Sequence, residues 1–163
     1  MHMKNRKLIS SLLLVIGILG TMSCLLVGCD DDEPAALNLA SLTAGTIDLN
    51  GATSATGVPV ETNIVAEFST EVDPATTNAI TLTRQFDGAA YPATITVNGK
   101  TVTIDPNTDF STGTLFILNF GAGLKSKGGK ALTEAIERNF TTEGTFAVPG
   151  AIAHWTFEDN ADD

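Results

Sequence analysis

Cysteine is scarce in this chain and ends early. Of 163 residues only Cys24 and Cys29 carry a thiol. Beyond position 29 there is accordingly no material for a disulfide or a thiolate metal site. Histidine is as rare, with His2 and His154 near the two extremes. Residues 36–147 therefore lack a base for a Ser-His-Asp arrangement and a ligand set for zinc. Trp155 and Tyr91 are the sole Trp and Tyr, which leaves little aromatic surface for stacking on sugars. Cations are few: from position 29 onward six basic residues stand against nineteen acidic ones, a net charge of −13. Such a surface repels phosphate backbones and argues against nucleic acid as a partner.

What the sequence does have is a distinctive beginning. Lys4, Arg6 and Lys7 precede Leu8 to Gly28, a stretch without any charge. Positive residues followed by an apolar run read as a helical secretory signal. The run is also close to the ~20 residues that span a bilayer, so an uncleaved anchor is the competing reading. Its last residues, Leu26-Val27-Gly28-Cys29, resemble the lipobox of bacterial lipoproteins. That resemblance implies cleavage between Gly28 and Cys29, diacylglyceryl transfer to the thiol and attachment to membrane lipid. Several acyl chains make such attachment lasting, where one binds only marginally. "TMSC", ending at Cys24, has Thr21 where Leu is expected.

Asp30, Asp31, Asp32 and Glu33 follow. As a solvated run they form an extended linker, because like charges repel. An acidic cluster in this place also resembles the export signal of surface lipoproteins, and Asp directly after the cysteine resembles an inner-membrane retention signal. The expected location is the outer membrane or cell surface, with the periplasmic face of the inner membrane as alternative.

The rest reads as short strands between turns. Residues 34–61 give only a weak strand signal, at 46–49. "TNIVAEFS" (62–69) alternates with Ile64, Ala66 and Phe68 on one face, and "AITLTR" (79–84) alternates through Ile80 and Leu82. Between them Asp73 and Pro74 mark a turn. In "ATITVNGKTVTID", Asn98-Gly99 predicts a two-residue type I′ turn, pairing Val97 with Lys100, Ile95 with Val102 and Ala93 with Ile104. "GTLFILNF" (113–120) is apolar on both faces, as in a central strand covered on both sides. "IERNFTT" (136–142) puts Ile136 and Phe140 on one side, and a helical turn near Thr133–Ile136 is an open alternative just before it. Six or seven short strands in about 110 residues, with turn signals every ~8–12, predict an all-β antiparallel sandwich.

"ATGVPVETNIVAEFSTEVDPATTNAITL", "VTIDPNTDFSTGTLFILNF" and "GLKSKGGKALTEAIERNFTT" together resemble the bacterial Ig-like domain of the S-layer (SbsA-like) type, over about residues 36–145. The resemblance implies an Ig-like sandwich of about seven strands. Two departures stand out: Phe116 replaces the usual Tyr, removing the hydroxyl of a tyrosine corner, and Ser126–Lys130 replaces an Asp and a Gly-Asn pair. "AIAHWTFEDNADD" (151–163) resembles the opening strand of laminin-G-like, concanavalin-type jelly rolls. There Glu158, Asp159, Asn160, Asp162 and Asp163 offer the oxygen ligands calcium takes, though an unfilled acidic segment is the plainer reading.

Chemistry is otherwise thin. "GLKSKGGKA" fails as a phosphate loop, with Leu124 and Ala131 where Gly and Ser or Thr are required. Glu67 with Glu71, and Glu134 with Glu137, have the spacing of solvated strand ends rather than of an acid–base pair. No cofactor and no catalytic residue are expected. The organisation read from sequence is a signal peptide (1–28), an acidic linker after the lipidated cysteine (29–35), an Ig-like domain (36–147), and a linker with the start of a jelly roll (148–163). The expected function is a non-catalytic spacer or adhesion module presenting a glycan- or protein-binding domain. The alternative is the front of an exported glycan-degrading enzyme.

Overall fold

The computed structural model describes residues 33–51 and 53–147. The chain divides into Met1–Glu33 and Pro34–Asp163, and every element below belongs to the second unit. Its nine strands among the described residues are β1 (Leu39–Ala44), β2 (Ile47–Asp48), β3 (Ala55–Val58), β4 (Ile64–Phe68), β5 (Ile80–Arg84), β6 (Ala93–Asn98), β7 (Thr101–Pro106), β8 (Leu115–Phe120) and β9 (Ile136–Thr142). They form two sheets, one in the order β2-β1-β4-β7-β6 and the other β3-β9-β8-β5. The predicted Ig-like β-sandwich is what forms.

Period-two alternation builds the core. Ile64, Ala66 and Phe68 of β4, Val102 and Ile104 of β7, and Phe116, Leu118 and Phe120 of β8 are all buried. Phe116 and Phe140 stack at 5.5 Å between centroids, Phe110 meets Phe116 edge-on at 4.8 Å, and Phe68 meets Phe120 edge-on at 5.6 Å. Each such fully buried ring contributes roughly 2–3 kcal/mol of transfer free energy. Tyr91 joins the cluster at 5.0 Å from Phe116, while its hydroxyl donates to the Asp109 carbonyl at 2.5 Å. A tyrosine hydroxyl thus reaches backbone after all, from the segment just before β6 and not from the position of Phe116 on β8.

Several expectations are corrected. The pairing is not wholly antiparallel, because β3 runs parallel to β9. The Asn98-Gly99 hairpin is shifted by two residues: Val97 faces Val102, Ile95 faces Ile104 and Ala93 faces Pro106. The two loop residues are therefore Gly99 and Lys100. Only Gly99 has positive φ (+61°), the pattern of a type II′ turn, which needs one such residue where type I′ needs two. This register sets valine on valine and isoleucine on isoleucine, and leaves exposed Lys100 in the loop. It also frees the Gly99 and Lys100 carbonyls to accept from Val72 and Phe68 N–H, both at 2.9 Å.

β8 is central, but only one of its faces is fully covered; Leu115 and Ile117 on the other are half-buried. The Thr133–Ile136 region makes bends and then β9, without a helical turn. The Asp73-Pro74 break is a 3-10 helix, Pro74–Ala79, whose first turn is capped by the Asp73 carboxylate accepting from Ala75 N–H at 3.0 Å.

Candidate functional site

Gly28, Cys29, Asp30, Asp31 and Asp32 lie outside the described residues, as do His154, Trp155 and the acidic group from Glu158 to Asp163. Glu33 is described and exposed. Of the carboxylate pairs, Glu67 and Glu137 are exposed on β4 and β9, Glu134 lies in the bend before β9, and Glu71 is ion-paired with Lys127 at 3.0 Å. Among the described residues no three metal-ligating side chains converge. Glu61, Asp105 and Asp109 border a small hollow of about 90 Å³.

The Ser126–Lys130 loop is a tight hairpin. Ser126 N–H donates to the Lys130 carbonyl at 2.7 Å, Gly129 N–H to the Ser126 carbonyl at 2.8 Å, and Gly129 has φ +87°. No ring of N–H groups is left to cradle a phosphate.

The larger hollows lie elsewhere, along the flank of β9. β3 covers that flank only at its far end, where Ala55 is opposite Phe140 and Val58 opposite Thr142. At the near end Leu37 bridges to Leu132. Between the two the edge of β9 is bordered by Asn50, Gly51, Thr53 and Ser54. One hollow, of about 450 Å³, has Leu37, Leu39, Leu132 and Ile136 on its apolar side and Glu134 on its polar side. The other, of about 410 Å³, is bordered by Thr53, Ser54, Glu137 and Asn139.

Asn50 and Arg138 line both. Arg138 stands opposite Leu118 in the ladder, so it shares the inward face of β9 with Ile136 and Phe140. Its Nη2 donates to Asn50 Oδ1 at 3.0 Å and its Nη1 to the Glu137 carbonyl at 2.9 Å. The sequence carried this signal, because Ile136, Arg138 and Phe140 share one alternating row. What it did not carry is where β3 stops covering β9.

The incoming and outgoing chain segments have fixed places in this unit. Leu37 lies beside Leu132, and a methyl on Gly128 would come within 3.0 Å of Pro34 Cβ. β9 then runs from Ile136 to Thr142, away from that end. Past its finish, Gly113 N–H donates to the Glu143 carbonyl at 2.8 Å and Thr112 Oγ1 to the Thr145 carbonyl at 3.1 Å. Phe146 lies edge-on to Phe86 at 5.2 Å. The two segments thus sit at opposite ends of β9, about 20 Å or more apart at strand rise.

A family model described as "Bacterial Ig-like domain" matches residues 43–142. Among curated proteins nothing matches. Among solved structures, the N-terminal part of the bacterial S-layer protein SbsC aligns at 18% identity and TM-score 0.48, over 67% of this chain and 24% of that one. Surface layer protein SbsC, domains 1–6, aligns at 17% identity and TM-score 0.48, over 69% and 14%. The native conformation of E. coli alpha-2-macroglobulin aligns at 16% identity and TM-score 0.49, over 69% and 6%. The chain spans no more than about a quarter of the length of these structures.

Proposed function

The chain belongs to the bacterial Ig-like domain family, and from that premise we propose that it is a lipid-anchored surface protein whose Ig-like domain is a non-catalytic spacer. In this reading residues 1–28 are removed as a signal and Cys29 carries the lipid. Residues 29–35 lead to the sandwich of 36–147, with Asp30–Glu33 directing the protein to the cell surface. Residues 148–163 open a further domain that binds glycan or protein.

The observation that supports a spacer is the placing of Leu37 and Phe146 at opposite ends of β9. A domain joined in this way extends a chain instead of folding it back, as a stalk must. The scarcity of histidine, with His2 and His154 near the two extremes of the chain, is the sequence feature behind the non-catalytic part of this reading.

Mass spectrometry of the mature N terminus tests the anchor. The expected product begins at an acylated Cys29, and Cys29→Ser abolishes lipid labelling and releases the protein from membranes. An intact segment 1–28 on the membrane-bound protein overturns the reading. Protease added to whole cells separates surface display, with loss of the domain, from retention inside.

A further inference from the structure

We propose that Arg138 and the two hollows beside it form a binding site for a carboxylated sugar unit. The guanidinium is incompletely satisfied by its own chain. Two of its N–H groups donate to neutral oxygens, those of Glu137 main chain and Asn50 side chain. Its Nε is buried and has no hydrogen-bond partner. Among the described residues no carboxylate lies within ion-pair distance of it, in a chain with nineteen acidic residues.

Arg84 supplies the contrast. Its Nε is also buried without a partner, but Nη2 lies 2.8 Å from Asp87 Oδ2 and the guanidinium sits 5.2 Å above the Phe86 ring. Arg84 has an ion-pair partner within the fold, and among the described residues Arg138 has none. A carboxylate seated beside Arg138 takes the remaining Nη hydrogens and makes charge-assisted hydrogen bonds there.

The linings choose the class of acid. Thr53 and Asn139 offer a hydroxyl and an amide to ring hydroxyls, and the Ser54 hydroxyl, which donates to the Asn139 carbonyl at 3.1 Å, keeps its oxygen as an acceptor, while Leu37, Leu39 and Ile136 offer an apolar wall to ring C–H groups. Each hollow, at about 450 and 410 Å³, is in the range of small-ligand sites. Glu134 and Glu137 border them too. Carboxylates there accept from sugar hydroxyls but repel a second negative charge. One carboxylate among several hydroxyls fits that border better than an acidic peptide does. Arginine and amides here replace the aromatic platforms that the sequence lacks.

The test is an NMR titration of the ¹⁵N-labelled full chain in detergent, reading the Arg138 Nε–H resonance. The probes are D-glucuronate, D-glucose and N-acetyl-L-aspartate. Glucuronate is expected to give a saturable shift, with glucose and N-acetylaspartate each binding about tenfold more weakly. In Arg138→Gln, read from the backbone amides of 50–54 and 137–139, the response to glucuronate disappears. Asn139→Ala, at an exposed position, weakens binding and leaves the rest of the spectrum unchanged. No saturable response to glucuronate, or an equal one to glucose, overturns the role of Arg138. An equal response to N-acetylaspartate overturns the assignment to a sugar.

Discussion

Gly113 is the residue whose replacement the fold tolerates least at the outgoing end. Its φ is +54°, and a methyl placed on it would stand 2.2 Å from the Phe146 nitrogen. Gly113→Ala therefore meets backbone strain and a clash with main chain, and is expected to cost about 2 kcal/mol or more. A fall in the urea midpoint, with loss of protection of the 143–146 amides, is the measurement. Thr142 carries a different load. Its buried hydroxyl accepts from Thr114 N–H at 2.9 Å and donates to the Ser111 carbonyl at 2.6 Å. Thr142→Val keeps the shape but strands both partners, at a cost of about 1–3 kcal/mol. Thr142→Ser should lose much less, which separates the hydrogen bonds from the packing.

Among the elements, the β6–β7 hairpin allows a direct check of its turn. In the observed register Gly99 alone needs positive φ, and nothing lies within 4 Å of a methyl built on it. Gly99→Ala should therefore cost about 1 kcal/mol from backbone strain alone. Asn98→Ala should leave the thermal midpoint nearly unchanged, whereas a type I′ turn would make both substitutions costly.

The same hairpin shows what the sequence could and could not reveal. Alternation assigned the right faces, since Ala93, Ile95, Val97, Val102 and Ile104 stay on one side under a shift of two. Register was left to turn chemistry, and there the pairing of Val97 with Val102 outweighed the Asn-Gly preference. β4, β5 and β9 were legible because their buried residues alternate without interruption. β1 and β3 were not. A register shift between Leu39 and Ser41 breaks the alternation of β1, and another between Ala55 and Val58, with Gly57 at φ +73°, breaks that of β3. The candidate site depends on where those two irregular segments lie. Arg138, between Ile136 and Phe140 in the alternating row of β9, went unremarked in the sequence, and its hollows had no signal there at all.

At the scale of the whole molecule, the absence of cysteine after Cys29 means that no disulfide holds the sandwich. Its melting temperature should be the same with and without reductant, and a shift would reject that account. Spin labels introduced at positions 36 and 146 should report a separation of at least about 20 Å, from the rise along β9. A much shorter distance would remove the support for a spacer.

The parallel course of β3 and β9 has a mechanical consequence for a tethered protein. If Cys29 is held in a membrane and load is applied beyond residue 147, the pull runs along the strands, toward opposite poles. The β1–β4 and β3–β9 hydrogen bonds then lie across the direction of force and must yield together, in shear, instead of opening one by one like a zipper. A domain wired in this manner transmits tension without lengthening until it gives way all at once.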